Sequence, residues 1–259
     1  MIIHTFLFLL IMILYYRMGD VMLLPIDAKI DNNGLFYMDN DLFKKYPLNI
    51  NYNLKISNLF YSLMSTDDYI IKYSLYNLNQ DQLMPMLMNF RNIQKSIDDV
   101  DFPIGYYKED DSIRGQIIKY YNNSPSLSNL IKEKDINIFG KYYYHDDDSI
   151  HNLYMIMLDI LDLLEELFNN GVYYTDIHTG NFVIHNNQIK LIDFDYNYIH
   201  FIKNIDKKLL DIILWNYSRL FFYINKVYNL GEFGLDECHD FKYMKKFVKS
   251  MENHVRRGR

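Results

Sequence analysis

The sequence has little of several features that mark specialised classes of protein. Cys238 is the only cysteine among 259 residues, which excludes an internal disulfide and a zinc site built from several cysteines. Basic residues are outnumbered, since 27 Lys and Arg stand against 33 Asp and Glu, and the net charge is −6. We therefore expect no nucleic-acid partner, although a local basic patch is compatible with this charge.

Apolar side chains, in contrast, are plentiful. They make up 49% of the residues, while charged side chains make up 23%. That is enough apolar material for a folded core, so a disordered chain is excluded. The length suits one large domain or two lobes around a shared cleft.

Residues 1–17 form an apolar N-terminal segment, in which Ile2–Tyr16 carries no charged side chain and Arg17 closes the run. The run is shorter than the roughly 20 residues of a membrane span, and it lacks the basic start and the cleavage site of a signal peptide. Three interpretations stay open: a start assigned too early, with Met18 as the true first residue, a membrane anchor, or a helix packed on the domain. We expect a cytoplasmic protein, with membrane contact through Ile2–Tyr16 if this segment is an anchor.

The pattern between residues 18 and 121 predicts a small β-rich lobe. Asn32–Gly34 is a turn signal between two apolar runs, as in a hairpin. Gln82–Ile97 has the character of a helix, in which Pro85 fits the first turn. The runs that predict strands are Ile26–Ile30, Leu35–Met38, Tyr69–Tyr73, Phe102–Tyr107 and Arg114–Tyr121.

Residues 122–259 predict a larger, mostly helical lobe. Apolar residues follow a helical repeat from Ile150 to Phe168, so we expect a helix that is buried on most sides. Asn169–Gly171 is a natural helix stop. A further long helix is expected over Asp206–Tyr228. Its aromatic residues at helical spacing are predicted to lie in the core: Trp215, Phe221, Phe222 and Tyr223.

The most informative stretch runs from Tyr173 to Asp195, with the sequence YYTDIHTGNFVIHNNQIKLIDFD. Phe182–His185 and Gln188–Ile192 are rich in β-forming residues and are separated by two asparagines. Asparagine tolerates the positive φ angles of a type I′ turn. The stretch therefore predicts a β-hairpin.

The register of this hairpin decides which polar residues meet. If His185 pairs with Gln188, Asn181 lies opposite Ile192 and next to Asp193, because each step along one strand is matched by a step along the other. The open end of the hairpin then brings Asn181 and Asp193 together.

Asp176 precedes Asn181 in the loop that follows the buried helix. Together with Asp193, two carboxylates and one amide oxygen would then converge at one edge of a cleft. Hard oxygen ligands of this kind hold Mg²⁺, which also takes water and phosphate oxygens. A carboxylate outside the metal shell can accept a proton from an attacking hydroxyl.

Asp176-Ile-His-Thr-Gly-Asn181, followed by Ile192-Asp193-Phe194-Asp195, resembles the catalytic loop and the metal-binding motif of the protein-kinase-like superfamily. The D-x-H-x-x-N form of the loop is similar to that of atypical bacterial and viral-type kinases and of the aminoglycoside/choline-kinase-like branches. Thr175 stands where eukaryotic protein kinases have the Arg of their Arg-Asp pair. The motif covers a short stretch, whereas the overall plan of the superfamily suits most of the chain.

The resemblance implies a two-lobed α+β protein-kinase-like fold and an enzyme that uses ATP and Mg²⁺. Asp176 would be the catalytic base. His178, inside the catalytic loop, would orient that loop through hydrogen bonds or take part in proton transfer. Asn181 and Asp193 would be the Mg²⁺ ligands.

The resemblance also implies a nucleotide site. Adenine would lie against Ile118, with backbone hydrogen bonds near Lys119 and Tyr121. Lys72, in the run YIIKY, resembles the lysine of the kinase V-A-I-K strand, which pairs with the α- and β-phosphates of ATP.

Several departures from the superfamily pattern leave alternatives open. No G-x-G-x-x-G is present, so Asn32–Gly34 is the only candidate for the phosphate-covering turn, and it also fits a plain hairpin. Lys44 or Lys45 competes with Lys72 for the phosphates. The helix after Lys72 contains no Glu, so the usual Lys–Glu ion pair is either missing or formed with Asp81 instead. No A-P-E element follows Asp195. The next predicted helix begins at Asp206, so a long activation segment does not fit between them.

We expect an ATP-dependent phosphotransferase that transfers phosphate to a hydroxyl group, protein kinase-like with a Ser or Thr acceptor. A small-molecule kinase of the aminoglycoside or choline type is the alternative enzyme. An ATP-binding pseudokinase and a membrane-tethered scaffold are alternatives from other classes. The expected partners are accordingly ATP and a protein or small-molecule hydroxyl acceptor.

Overall fold

The computed structural model describes residues 28–39, 60–64, 69–74, 76–94, 97, 100–121, 124–133, 149–186, 188–194, 197–204, 206–228 and 240–257. Within these residues the chain is mixed α and β, with ten strands and five helices. The expected α+β class is therefore confirmed at this level.

The chain divides into two compact units. One comprises Met1–Lys95 and Pro103–Tyr120, and the other comprises Ser96–Phe102 and Tyr121–Arg259. In the described residues, the first unit contains the larger sheet and one helix, and the second contains four helices and two β-ribbons.

A six-stranded sheet forms the first unit. Its strands are β1 (Lys29–Ile30), β2 (Phe36–Asp39), β3 (Phe60–Met64), β4 (Tyr69–Ser74), β5 (Gly105–Glu109) and β6 (Ser112–Lys119). They are arranged in the order β1-β2-β5-β6-β4-β3. Neighbouring strands are antiparallel except β2 and β5, which are parallel.

One face of this sheet carries a buried apolar cluster. Alternate residues of a strand point to opposite faces, so each of four strands contributes side chains to the same side. The cluster consists of Met38, Tyr69, Ile71, Tyr107 and Ile117. Burial, reinforced by the nearby charge of Glu109, raises the pKa of Tyr107, so this hydroxyl stays protonated inside the core.

The β1–β2 hairpin is closed by the side chain of Asp31 and by a glycine. Asp31 Oδ1 accepts hydrogen bonds from the backbone N–H groups of Asn33 (2.8 Å) and Leu35 (2.9 Å). Gly34 has a φ of +76°, and its carbonyl accepts a hydrogen bond of 2.7 Å from Arg91. The hairpin predicted from the turn signal is confirmed.

The other strands predicted for this unit are also confirmed. The YIIKY run forms β4, while β5 and β6 form a hairpin whose turn contains Asp110 with a φ of +52°. β4 pairs with β3 on one side and with β6 on the other, so it lies inside the sheet.

Helix α1 (Gln80–Ile93) follows β4 and begins earlier than the sequence predicts. Asn79 caps it, since Asn79 Oδ1 accepts the Asp81 N–H at 3.0 Å. Pro85 therefore lies inside the helix, where its missing N–H cannot bond to the Asp81 carbonyl. The predicted helix is confirmed, but the predicted first-turn position of Pro85 is wrong because the cap at Asn79 sets an earlier start.

In the second unit, helix α3 (Ser149–Asn169) is the helix predicted from the apolar repeat. Apolar side chains on several of its sides are buried, which agrees with that prediction. Gly171 ends the helix with a φ of +74°, and its N–H bonds to the Phe168 carbonyl at 2.9 Å. The predicted helix stop is confirmed.

Three further helices accompany α3: α2 (Leu127–Glu133), α4 (Lys207–Tyr228) and α5 (Phe241–Arg257). The Tyr217 hydroxyl of α4 donates to the Met157 carbonyl of α3 at 2.9 Å. The rings of Phe168 and Phe241 join α3 to α5, with centroids 5.7 Å apart. These buried contacts link the three long helices of the unit.

The aromatic residues of α4 do not all lie in the core, so that prediction is wrong. Phe221 is buried, but Trp215, Phe222 and Tyr223 are 59%, 37% and 45% exposed. Residues seven positions apart lie on one line along a helix, which puts Trp215 and Phe222 together on the solvent side. The guanidinium of Arg219 lies 4.8 Å from the Trp215 ring centroid on that side.

Two β-ribbons complete the second unit. Their strands are β7 (Val172–Tyr174) with β10 (Ile199–Phe201), and β8 (Phe182–His185) with β9 (Gln188–Leu191). Both ribbons are antiparallel.

The β8–β9 ribbon is flanked by segments from elsewhere in the unit. Ser126 bridges to Val183, and the Ile184 N–H donates to the Pro125 carbonyl at 3.1 Å. On the other side, Val100 forms a parallel bridge to Leu191. The ribbon therefore has backbone neighbours along both of its edges.

Some predictions concern residues outside the described stretches: Ile2–Tyr16, Lys44, Lys45, Asp195 and Cys238. Of the helices in the described stretches, none combines the length and the apolar character needed to cross a membrane.

Gly34 provides a test of the β1–β2 turn. We expect Gly34→Ala to lower the free energy of unfolding by about 1–2 kcal/mol, because a Cβ is strained in the left-handed region and would also collide with Arg91. Urea unfolding measures the change. The neighbouring Asn33→Ala keeps the backbone hydrogen bonds of the turn and serves as the matched control. Equal stabilities of the two variants would contradict the described turn.

Candidate active site

The loop between β7 and β8 closes on itself through the side chain of Asn181. Asn181 Nδ2 donates to the Asp176 carbonyl at 2.9 Å and lies 3.2 Å from Oδ2 of the same residue. A 3₁₀ turn over Thr179–Asn181, in which the Asn181 N–H bonds to the His178 carbonyl at 3.1 Å, completes the fold-back. Asp176 and Asn181 are thereby brought together.

The β8–β9 hairpin has the predicted register. His185 pairs with Gln188 at the turn. At the open end, the Ile192 N–H donates to the Asn181 carbonyl at 2.8 Å. Ile192 is therefore the backbone partner of Asn181, and Asp193 is the next residue along the chain. The prediction that the hairpin brings Asn181 and Asp193 close together is confirmed for the backbone.

The backbone of Asp193 is left-handed, with a φ of +65°. This conformation costs a non-glycine residue about 1–2 kcal/mol, and strain of this kind clusters at functional sites. The next residue, Phe194, is buried, and its ring packs against Tyr174 and Phe102 at centroid distances of 5.5 and 4.9 Å. The buried Phe194 ring therefore fixes the chain directly after the left-handed backbone of Asp193.

The contacts of His178 are those of a residue that orients the loop. Its Nδ1 accepts the Gly180 N–H at 3.0 Å, so this nitrogen carries no proton and the neutral ring is protonated at Nε2. Nε2 lies 3.5 Å from Asp176 Oδ2. The imidazole thus holds the turn with one nitrogen and faces the carboxylate with the other.

The chain that enters the loop is held from two directions. The Thr175 N–H and its Oγ1 both donate to the Tyr198 carbonyl, at 3.0 and 3.1 Å. The Thr175 carbonyl accepts a 2.7 Å hydrogen bond from Asn216 Nδ2 on α4. Asp176, directly after this anchor, keeps 33% of its side chain exposed and is accessible to a reactant.

Asn181 and Asp193 have the donor chemistry that Mg²⁺ prefers. The contacts described for the Asn181 side chain all use Nδ2, which leaves Oδ1 for a cation. An amide oxygen and a carboxylate suit an ion that takes its other ligands from water and phosphate. In the described stretches no group of three or more His, Cys, Asp or Glu side chains could hold a metal ion.

Lys72 lies in β4, in the first unit. It is 6% exposed, and its cross-strand partner on β6, Gln116, is 5% exposed. Because strand residues alternate, Lys72 points to the face of the sheet opposite that of its neighbour Ile71 and the apolar cluster. Lysine side chains are mostly exposed in folded proteins, so the burial of Lys72 distinguishes it from a solvated surface lysine.

The residues predicted for the adenine side belong to both units. Ile118 and Lys119 end β6 in the first unit, opposite Ile70 and Tyr69. Tyr121 belongs to the second unit, where its ring lies 4.8 Å from that of His185. Within that unit, Ser124 Oγ lies 2.8 Å from Nδ1 of the same histidine. The segment after Tyr121 is thus tied to the β8–β9 hairpin.

The turn at Asn32–Gly34 is remote from Lys72. It joins β1 to β2 at one edge of the sheet, and β5 and β6 separate β2 from the Lys72 strand. With neighbouring strands about 4.8 Å apart, the gap between β2 and β4 is about 14 Å. If Lys72 binds the phosphates, this separation favours the plain-hairpin interpretation of the turn over its assignment as the phosphate-covering turn.

Two polar contacts of the site involve residues that the motifs do not single out. The Tyr174 hydroxyl lies 2.5 Å from Asn181 Nδ2, and Asn216 holds the carbonyl of Thr175. Tyr174 looks like an ordinary strand residue in the sequence, and Asn216 like one polar position in a helix. The pairing of these groups depends on tertiary structure, so no local pattern could have identified them.

No protein-family model matches the chain, and no curated protein matches it. The chemistry of the candidate site therefore rests on the residues and contacts described above.

Substitution of Asp193 separates its backbone conformation from its carboxylate. Asp193→Gly and Asp193→Ala both lose the carboxylate, but only Gly enters the left-handed region without strain. We expect the Gly variant to be the more stable by about 1 kcal/mol in urea unfolding.

The same two substitutions at exposed Asp211, inside α4, are the control. There the order should reverse, because Gly destabilises a helix interior by about 1 kcal/mol relative to Ala. An Ala variant at least as stable as the Gly variant at position 193 would contradict the strained conformation.

Proposed function

We propose that this protein is an ATP-dependent phosphotransferase that transfers phosphate to a hydroxyl group. The observation that carries the proposal is the meeting of Asp176 with Asn181, whose carbonyl also accepts from the residue before Asp193. One loop and one hairpin thereby hold two carboxylates and an amide. This set supplies ligands for Mg²⁺ and a base for an attacking hydroxyl.

Asp176 would be the base. Its Oδ2 faces the Asn181 amide and the imidazole of His178, and none of these contacts uses Oδ1. Oδ1 would then accept the proton of the attacking hydroxyl. A base of this kind typically contributes about 10²–10⁴ in rate. His178 would keep Asp176 and the turn in place.

Asn181 and Asp193 would hold Mg²⁺ through the amide oxygen and the carboxylate. The ion would supply charge neutralisation on the phosphates during transfer. The left-handed backbone of Asp193 supports this role, because local strain is retained where a side chain has to be held in one direction.

For the nucleotide, the superfamily resemblance assigns Lys72 to the α- and β-phosphates, and Ile118, Lys119 and Tyr121 to adenine. The burial of Lys72 beside Gln116 supports its assignment.

We also infer the finer fold class from this resemblance. The first unit would correspond to the small lobe of a protein-kinase-like fold and the second to the large lobe. Two features support this correspondence. The strand with the buried lysine has a neighbour on each side, and the buried helix α3 precedes the loop with the base.

The central prediction concerns ATP turnover. Asp176→Asn and Asp193→Asn are each expected to lower kcat at least about a hundredfold, because the first removes the base and the second weakens a metal ligand. The measurement is steady-state ADP release at saturating Mg²⁺. Asp211→Asn, on the exposed side of α4, is the matched control and should leave turnover unchanged. Full activity in both site variants would exclude this mechanism.

A second prediction concerns the phosphate-binding lysine. Lys72→Met is expected to raise the KM for ATP at least about tenfold, because a charge-assisted contact with the phosphates is lost. Lys44→Met and Lys45→Met should not change KM. If one of these two variants raises KM while Lys72→Met does not, the assignment moves to that lysine.

Two kinds of phosphate acceptor remain candidates: a protein hydroxyl and a small alcohol. The sequence favours a Ser or Thr hydroxyl of a protein, whereas the short chain between Asp193 and α4 favours a small alcohol. That chain contains β10, which returns to pair with β7, so little length is left for a peptide-binding segment.

Two assays separate the candidates. A protein kinase would label added proteins on Ser or Thr, whereas a small-molecule kinase would release ADP only with an amino alcohol, a sugar or an aminoglycoside. Mg²⁺-dependent ATP binding without turnover, unchanged in Asp176→Asn, would instead identify a pseudokinase.

A further inference from the structure

The Tyr174 hydroxyl is the nearest described partner of the Asn181 amide. Tyr174 Oη lies 2.5 Å from Asn181 Nδ2, and the two residues are 1% and 3% exposed. The Tyr174 ring also packs against Phe194, the residue after Asp193. One buried tyrosine therefore contacts one proposed metal ligand, Asn181, and the residue next to the other, Asp193.

The neighbours of the Asn181 amide determine which way it points. The carbonyl oxygen and the carboxylate oxygen of Asp176 only accept hydrogen bonds, so the NH₂ group has to face them. The Tyr174 hydroxyl accepts on the same side. Three oxygens surrounding Nδ2 turn Oδ1 in the opposite direction.

We propose that the Tyr174 hydroxyl is a positioning group that keeps Oδ1 of Asn181 directed at the metal ion. Tyr174 acts through the amide and does not touch the reacting atoms. The inference rests on the proposed function, because it assigns the role of Asn181 to a metal bound with ATP. Groups that orient a metal ligand typically change metal affinity about 10–100-fold when they are removed.

The neighbouring residue provides a matched control. Tyr173 is also 1% exposed, and its hydroxyl makes two hydrogen bonds, donating to the Asn204 carbonyl at 3.2 Å and accepting from the Asp206 N–H at 3.1 Å. These bonds tie β7 to the start of α4 and involve no residue of the candidate metal site. Tyr174→Phe and Tyr173→Phe therefore remove the same atom from the same strand, with different expected consequences.

The experiment measures metal binding directly, without turnover. Mn²⁺ is titrated into each full-length variant saturated with a non-hydrolysable ATP analogue, and free Mn²⁺ is followed by electron paramagnetic resonance. We expect Tyr174→Phe to raise the Kd for Mn²⁺ about tenfold. Tyr173→Phe should leave this Kd unchanged, although it should lower the melting temperature.

The outcomes separate this inference from the proposed function. If the wild-type chain binds no Mn²⁺ with the analogue, both are overturned. If the wild type binds the metal and the two variants have the same Kd, the positioning role alone is overturned. Weaker binding in Tyr174→Phe only, with the nucleotide affinity in metal-free buffer unchanged, supports the positioning role.

A second measurement uses the wild-type chain, so it can be made even if the Tyr174→Phe variant does not fold. The side-chain amide protons of Asn181 should exchange with water much more slowly than those of Asn33 in the exposed β1–β2 turn. Exchange at the same rate would show that the amide is not held, and would overturn the inference.

Discussion

One backbone hydrogen bond, from the Ile192 N–H to the Asn181 carbonyl, is the constraint on which the candidate site depends. It extends the β8–β9 ladder by a step and brings a residue of the loop next to the second acidic motif. Side chains in a strand alternate between faces, so a slip of one residue would turn Asp193 to the wrong side. The asparagine turn and the flanking backbone bridges to Val183 and Leu191 hold this register.

Around this bond, the loop is held by groups from strand β7, from helix α4 and from the turn before β10. The carbonyl of Tyr198, the amide of Asn216 and the hydroxyl of Tyr174 each contact a different point of the chain between Thr175 and Asn181. If the loop binds a ligand as proposed, support of this kind would reduce the entropic cost of reaching a productive geometry. The surrounding contacts also explain how Asp193 can keep a left-handed backbone, because such strain persists only where the neighbouring structure holds it.

The sequence predicts the parts of the structure that depend on local rules. Turn residues and strand alternation gave the hairpin with His185 opposite Gln188, and the helical repeat gave α3. Predictions failed where residues distant in the sequence determine the local structure or the exposure of a side chain. The cap at Asn79 places Pro85 inside a helix, and the packing of α4 on α3 leaves Phe222 partly exposed. The hydroxyl contact to Asn181 needs the folded β7–β10 ribbon, so the motif alone does not reveal it.

The tandem tyrosines of β7 have a consequence for how the chain folds. A pairing error of one residue would put one tyrosine in the place of the other and Val172 or Thr175 in the remaining place, so one of the two aromatic positions would still be filled by a tyrosine ring. The ends of the strand supply the discrimination. The Gly171 carbonyl accepts from the Ile202 N–H at one end, and the Thr175 N–H reaches Tyr198 at the other. A shifted ribbon would lose both hydrogen bonds, so these two backbone contacts at the ends of β7 favour the observed register.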